Sequence, residues 1–270
     1  MTPEKPVEFR DVSISFGEKQ VLSNISFEIT SGETLMLLGV TGSGKSVILK
    51  LIAGLLKPDS GEILIDGKNI VPLAEEKLNP FRKMMGVVFQ EGALFDSLSV
   101  YENVAYPLRE ARQNGEEEIE GAVRRVLSFV EMEEALGKMP AELSGGMRRR
   151  VSLARAIVNH PSIMLYDSPT AGLDPITANT INILIAKLRD TQGVTSILVT
   201  QRIQDIFILS ASIFSPQTQG LVPTKREERD GEGYGPLTRF LVLRDAGVFF
   251  LGSRKELAQS RDPYLLRFIS

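Results

Sequence analysis

The stretch Gly39-Val40-Thr41-Gly42-Ser43-Gly44-Lys45-Ser46 constrains the fold of this chain more than any other. The apolar Thr34-Leu35-Met36-Leu37-Leu38 before it reads as a buried strand, and Val47-Ile48-Leu49-Lys50-Leu51-Ile52 after it reads as a helix. The glycines therefore fall on a strand-to-helix turn, in the spacing G-x-x-x-x-G-K-[ST]. Such a turn is a phosphate cradle. Gly42 and Gly44 let the backbone curl so that successive N–H groups face one anion, and the helix N-terminus adds its positive end. Lys45 reaches the terminal phosphates, and the Ser46 hydroxyl is placed to ligate Mg²⁺.

Composition narrows the partners. The 270 residues carry a net charge of -3 with 24% charged side chains, so no global basic field argues for nucleic acid. No apolar run approaches the roughly 18 residues that span a bilayer, and Met1 to Pro6 lacks the apolar core of a signal peptide, so the chain is expected in the cytosol unless a partner tethers it. Without cysteine there is neither a disulfide framework nor a thiolate metal site.

Two alternating runs between Val7 and Ile29, split at Gly17-Glu18, have antiparallel strand patterning. Phe16, just before that glycine, fits either a core position or a platform on which a purine stacks. Met85-Gly86-Val87-Val88-Phe89 reads as a strand stopping at Gln90. Ile119, Val123, Val126, Leu127 and Val130 recur at helical spacing behind Glu116-Glu117-Glu118, and a helical insertion is expected from about residue 92 to 160. Leu143-Ser144-Gly145-Gly146-Met147 opens a further helix, with Ser144 as cap and two glycines leaving amides bare, which makes a second anion-binding helix end. The following Arg148-Arg149-Arg150 reads as a solvated helix face. Ser162 to Asp167 is an apolar strand ending in a carboxylate, as beside phosphate-bound Mg²⁺, and Ser196 to Thr200 is a buried strand followed by Gln201. Residues 214–236 lose apolar period and are expected to be a flexible surface loop. Phe240-Leu241-Val242-Leu243 and Val248-Phe249-Phe250-Leu251 form a hairpin, and a terminal helix from about Arg254 carries Leu257, Tyr264, Leu265, Leu266 and Phe268.

Together the phosphate loop, Gln90, Leu143 to Met147, the strand ending at Asp167 and the turn Gly172-Leu173-Asp174 resemble the ATP-binding cassette subunits of ABC transporters. Within that superfamily, Gly92 to Glu110, Met147 in the place of a glutamine, and Asp262-Pro263-Tyr264-Leu265-Leu266-Arg267-Phe268 look like the ATPases of the Mla and MCE lipid-transport systems. The resemblance implies an α/β fold: a P-loop NTPase with a RecA-like core, an antiparallel β subdomain and an inserted helical subdomain. One ATPase domain would cover residues 1–270, its core formed by 1–91 and 161–270 and its helical subdomain by 92–160. By the same resemblance Phe16 stacks on adenine, Gly39, Val40, Thr41, Gly42, Ser43, Gly44, Lys45, Ser46 and Val47 bind ATP, and Ser46, Gln90 and Asp167 serve Mg²⁺. Leu143, Ser144, Gly145, Gly146 and Met147 would bind the γ-phosphate of ATP held by a second copy or by a paralogous cassette, so dimerisation belongs to the mechanism. Gln90 to about Arg109 would face an integral membrane permease, with an MCE-type lipid-binding subunit in the same complex. The implied location is the cytoplasmic face of the inner membrane, and the implied function is coupling of ATP binding and hydrolysis to lipid transport through that permease.

Two positions depart from the family pattern. Ser168 stands where most cassettes carry the glutamate that polarises the attacking water, and Gln201 stands where they carry a γ-phosphate histidine. Lys45, Asp167, Ser168 and Gln201 are thus the candidate catalytic set. A serine hydroxyl is a poor base at neutral pH, and loss of a positioned base costs about 10²–10⁴ in rate. The sequence therefore also admits a cassette that binds ATP and hydrolyses it slowly or never. His160, the sole histidine, reads as a helix-end residue.

Overall fold

A computed structural model describes residues 4–111, 115–224 and 237–268. In chain order the elements are β1 (Val7–Phe16), β2 (Lys19–Ile29), β3 (Thr34–Gly39), α1 (Lys45–Ile52), β4 (Ser60–Ile65), β5 (Lys68–Asn69), α2 (Asn79–Lys83) and β6 (Met85–Val88). Then come α3 (Val100–Ala111), α4 (Glu116–Phe129), α5 (Gly145–Ile157), β7 (Ile163–Asp167), α6 (Pro175–Gln192), β8 (Thr195–Val199) and α7 (Ile203–Ala211). β9 (Ser212–Ser215), β10 (Gly220–Pro223), β11 (Thr238–Arg244), β12 (Gly247–Ser253), α8 (Arg254–Gln259) and α9 (Pro263–Leu266) close the chain.

The central sheet has six strands in the order β12-β11-β3-β8-β7-β6, parallel except for β12. Its inner strands are mostly apolar because both faces are covered, and every residue of β3 and β8 is buried. Successive residues point to opposite faces, so each strand feeds two cores. Leu35, Leu37, Leu165, Ile197 and Leu241 pack with α1 and the antiparallel sheet. Met36, Leu38, Met164, Leu198 and Phe240 pack with the helices on the other side. The antiparallel sheet, β2-β1-β4-β5, turns Val7, Phe9, Val12 and Ile14 inward, and a bulge at Asp11, whose φ is 48°, resets the alternation between Phe9 and Val12. The α/β core, the antiparallel subdomain and the helical insertion all match the expectation.

Two segments differ from it. The chain expected to be irregular from residue 214 instead forms the β9–β10 hairpin, pairing Ser215 with Gly220 and Phe214 with Leu221. Burial of Phe214 and a 2.7 Å hydrogen bond from its N–H to the Asp190 carboxylate tie this hairpin to α6. Residues 225–236 of that expected loop lie outside the described residues. The terminal helix is two helices, because Pro263 cannot donate a backbone hydrogen bond and Asp262 starts a new cap, accepting from the Tyr264 and Leu265 amides.

Candidate nucleotide-binding site

The parallel order β3-β8-β7-β6 brings the loops after four strands to one edge: Gly39 to Ser46 after β3, Gln201 after β8, Ser168 after β7 and Gln90 after β6, with Asp167 ending β7. This carboxyl edge is where open α/β sheets bind ligands. The glycines are needed there. Gly42 and Gly44 have φ of 80° and 98°, and a Cβ on Gly44 would meet Leu22 of β2 at 2.6 Å. A Cβ on Gly39 would approach the Leu243 carbonyl at 2.9 Å.

Lys45 is 5% exposed, and its ammonium donates to the Gly39 and Val40 carbonyls, each at 2.8 Å, and to Ser43 Oγ at 3.3 Å. The side chain therefore curls back over its own loop. Burial pushes its pKa below the ordinary lysine value, and the nearby Asp167 carboxylate opposes that shift. Ser46 and Val47 are half-buried at the start of α1, while Val40, Thr41 and Gly42 are exposed at the mouth of the loop. Phe16 is 49% exposed at the end of β1, which removes the core reading and leaves an open aromatic face.

Ser168 is 9% exposed with φ of 51°. Its N–H donates to Val199 O at 2.9 Å and its hydroxyl to Asp167 Oδ1 at 3.4 Å. The hydroxyl is thus turned to the neighbouring carboxylate, and Gln201 is exposed. The segment Leu143 to Met147 lies elsewhere, on the helical insertion at the start of α5. Ser144 Oγ accepts from the Met147 N–H at 3.2 Å, Leu143 is buried, and a Cβ on Gly146 would collide with the Thr177 side chain of α6.

The arginines are not a solvated face. Arg149 is 7% exposed, and its guanidinium donates to the carbonyls of Pro169 at 3.1 Å, Phe89 at 3.3 Å and Ala171 at 3.3 Å. These carbonyls belong to loops that no strand satisfies, so one buried guanidinium fixes the backbone around Gln90 and Ser168. Arg148 and Arg150 likewise donate to the carbonyls of Leu143 and Glu131.

A second buried charge went unread in the sequence. Asp205 is 2% exposed and accepts from the hydroxyls of Thr170 and Thr200 and from Asn182 Nδ2, while Arg202 lies 3.9 Å away and donates to the carbonyls of Thr170 and Leu173. It joins the Gln201 loop to the turn Gly172-Leu173-Asp174. The polar spacing of Thr200, Arg202 and Asp205 around one turn was the available signal.

Comparison with known proteins bears on this geometry. Residues 22–171 match the family model described as ABC transporter. The chain is 40% identical over 204 residues, 76% of each chain, to the intermembrane phospholipid transport system ATP-binding protein MlaF of Escherichia coli. It is 38% identical over 263 residues to the protein of the same name from Haemophilus influenzae, covering 97% of this chain and 89% of that one. A dimeric ATP-binding cassette solved in a post-hydrolysis state with ADP and Pi superposes with a TM-score of 0.74 at 30% identity, covering 92% of this chain and 98% of that one.

Proposed function

The chain belongs to the ABC transporter family of ATPases, and from that premise we propose that it is the ATP-binding subunit that drives a phospholipid transporter. The observation that carries this reading is the strand, glycine turn and helix from β3 to α1, with Lys45 buried against Gly39 and Val40 in the curl a phosphate chain requires. The naming of the MlaF relatives supports phospholipid as the cargo.

In this reading Gly39 to Val47 hold the phosphates and Phe16 stacks on adenine. Ser46, Gln90 and Asp167 would hold Mg²⁺; the Asp167 carboxylate close enough to act on Lys45 is the feature that fits a cation beside the phosphates. Among the described residues no cluster of three or more His, Asp or Glu could hold a metal unaided, so the remaining ligands would come from the nucleotide and water. The metal's contribution is neutralisation of charge on the β- and γ-phosphates. Leu143 to Met147 would close over the nucleotide of a second copy, in keeping with the dimeric assembly of the solved cassette.

The permease would dock at a groove of about 650 Å³ lined by Arg82, Phe89, Phe95, Tyr106 and Arg155. Phe95 and Tyr106 meet there with centroids 4.8 Å apart and their planes tilted by 50°, and Arg155 covers Phe95, an amphipathic surface suited to a short helix. Among the described residues no helix is long and apolar enough to cross a membrane, and the chain would sit on the cytoplasmic face, held by that permease with an MCE-type subunit alongside. Affinity capture of the tagged chain from detergent-solubilised membranes, with mass spectrometry of proteins and lipids, tests this. Recovery of an integral permease, an MCE-type subunit and phospholipid is expected; a chain recovered with none of them contradicts the assignment.

One observation favours a second reading, a cassette that binds ATP and turns it over slowly. No carboxylate follows Asp167, and the Ser168 hydroxyl bonds to Asp167 instead of standing free to accept a proton.

A further inference from the structure

The C-terminal segment reaches the phosphate loop. The Asp262 cap of α9 aims Tyr264 at the carboxyl edge of the sheet, where its hydroxyl donates to Leu243 O at 2.8 Å and accepts from the Val40 N–H at 3.4 Å. Val40 is the second residue of the loop, and its own carbonyl accepts from Lys45. The hydroxyl therefore closes a chain of contacts running from β11 through Val40 to the phosphate-binding ammonium. The tyrosine ring is itself held, edge-on to Phe249 at 5.6 Å and to Phe268 at 5.4 Å, with the Arg244 guanidinium 5.3 Å from its centroid. Buried Leu265 anchors the same turn.

This contact lies where the sheet stops helping. The ladder between β11 and β3 ends at Leu243 and Gly39, so the Leu243 carbonyl and the Val40 amide are the first groups past it. A tyrosine hydroxyl, both donor and acceptor, can serve the two at once. Val40 is otherwise exposed, and a loop of this kind loses ligand affinity when it must order on binding.

We propose that Tyr264 is a positioning residue for nucleotide binding: by joining the Val40 N–H to the Leu243 carbonyl it holds the mouth of the phosphate loop in its binding curl, so that the C-terminal segment sets ATP affinity. The proposal rests on the reading of residues 39–46 as a phosphate cradle. Tyr264 would touch the loop and not the nucleotide.

Tyr264→Phe in the full chain removes the hydroxyl and keeps the ring. Its MgATP affinity by calorimetry is expected to fall roughly three- to tenfold, the size of one ordinary hydrogen bond. Amide exchange of Val40 and its neighbours in nucleotide-free protein should quicken, while the thermal midpoint and the protection of β3 and β11 stay as they were. Unchanged affinity and unchanged Val40 exchange would overturn the proposal. So would an affinity loss accompanied by lowered protection throughout the sheet, which would make the hydroxyl a general stabiliser. Should Tyr264→Phe fail to fold, Arg244→Gln, which loosens the grip on the ring, is expected to give a smaller shift in the same two readouts, and no shift would count against the tether. Lys45→Ala separates the premises: if it too leaves affinity unchanged, the cradle reading fails, whereas an effect of Lys45→Ala alone overturns only the role of Tyr264.

Discussion

Lys45 carries its charge into a nearly closed loop, where backbone carbonyls and Ser43 meet it. Lys45→Ala is expected to weaken MgATP binding about 10- to 100-fold, the range for a charge-assisted hydrogen bond, while far-ultraviolet circular dichroism stays the same. The depressed pKa also has a sign. Between that value and the ordinary 10.5 the unfolded chain keeps a proton the folded chain has released, so stability of the nucleotide-free protein rises with pH across that window. Denaturant titrations of the natural chain and of Lys45→Met should show that part of the rise only in the natural chain. Asp205 presents the opposite case, a buried carboxylate whose partners are all in place. Asp205→Ala takes the acceptor from the buried polar groups of Thr170, Thr200 and Asn182, and is expected to cost about 3–5 kcal/mol in chemical denaturation. A loss within experimental error of zero would mean that water replaces the carboxylate freely.

At the scale of elements, the meeting of α5 with α6 is the tightest constraint on the segment Leu143 to Met147. Gly146 allows α5 to lie against Thr177, and any Cβ there strikes the Thr177 methyl. Gly146→Ala is expected to destabilise by about 1–3 kcal/mol, with Thr177→Ser relieving more than half of that because it deletes the methyl and keeps the hydroxyl. Additive effects in the double-mutant cycle would argue that the two helices separate instead.

The strands and helices of the core were legible because burial on both faces forces uninterrupted apolar runs, as at Leu35 to Leu38, and one-sided burial forces the spacing of Ile119, Val123 and Val126. The break before α9 was less legible, since Leu257 and Leu265 keep helical spacing across Pro263 and only the capping chemistry of Asp262 marks the boundary. The β9–β10 hairpin hid behind turn residues such as Pro216 and Gly220, and its strands are too short for alternation to stand out. The glycine turn between β3 and α1 was readable because it is local, eight consecutive residues in one curl. Arg149 and Tyr264 were not, because each acts on backbone groups far away in sequence, Phe89 and Val40, and a backbone acceptor leaves no trace in the sequence of its partner.

For the whole molecule we propose an ATPase cassette whose nucleotide cradle is complete and whose water-activating position is filled by a hydroxyl turned toward Asp167. Binding and closure of two copies would then proceed normally while the chemical step lags, and the ATP-bound dimer should be long-lived. Restoring the missing base should be possible at a single position, with Gln201→His adding less alone and the pair exceeding either, since both groups serve one transition state. The most direct measurement is steady-state ATP turnover of the natural chain and of Ser168→Glu, side by side in the captured membrane complex. Turnover is expected to rise at least about tenfold in Ser168→Glu with little change in MgATP affinity. Brisk turnover by the natural chain that Ser168→Glu does not raise, and that survives changing Ser168 and Gln201 together to alanine, would contradict it and place water activation on another residue.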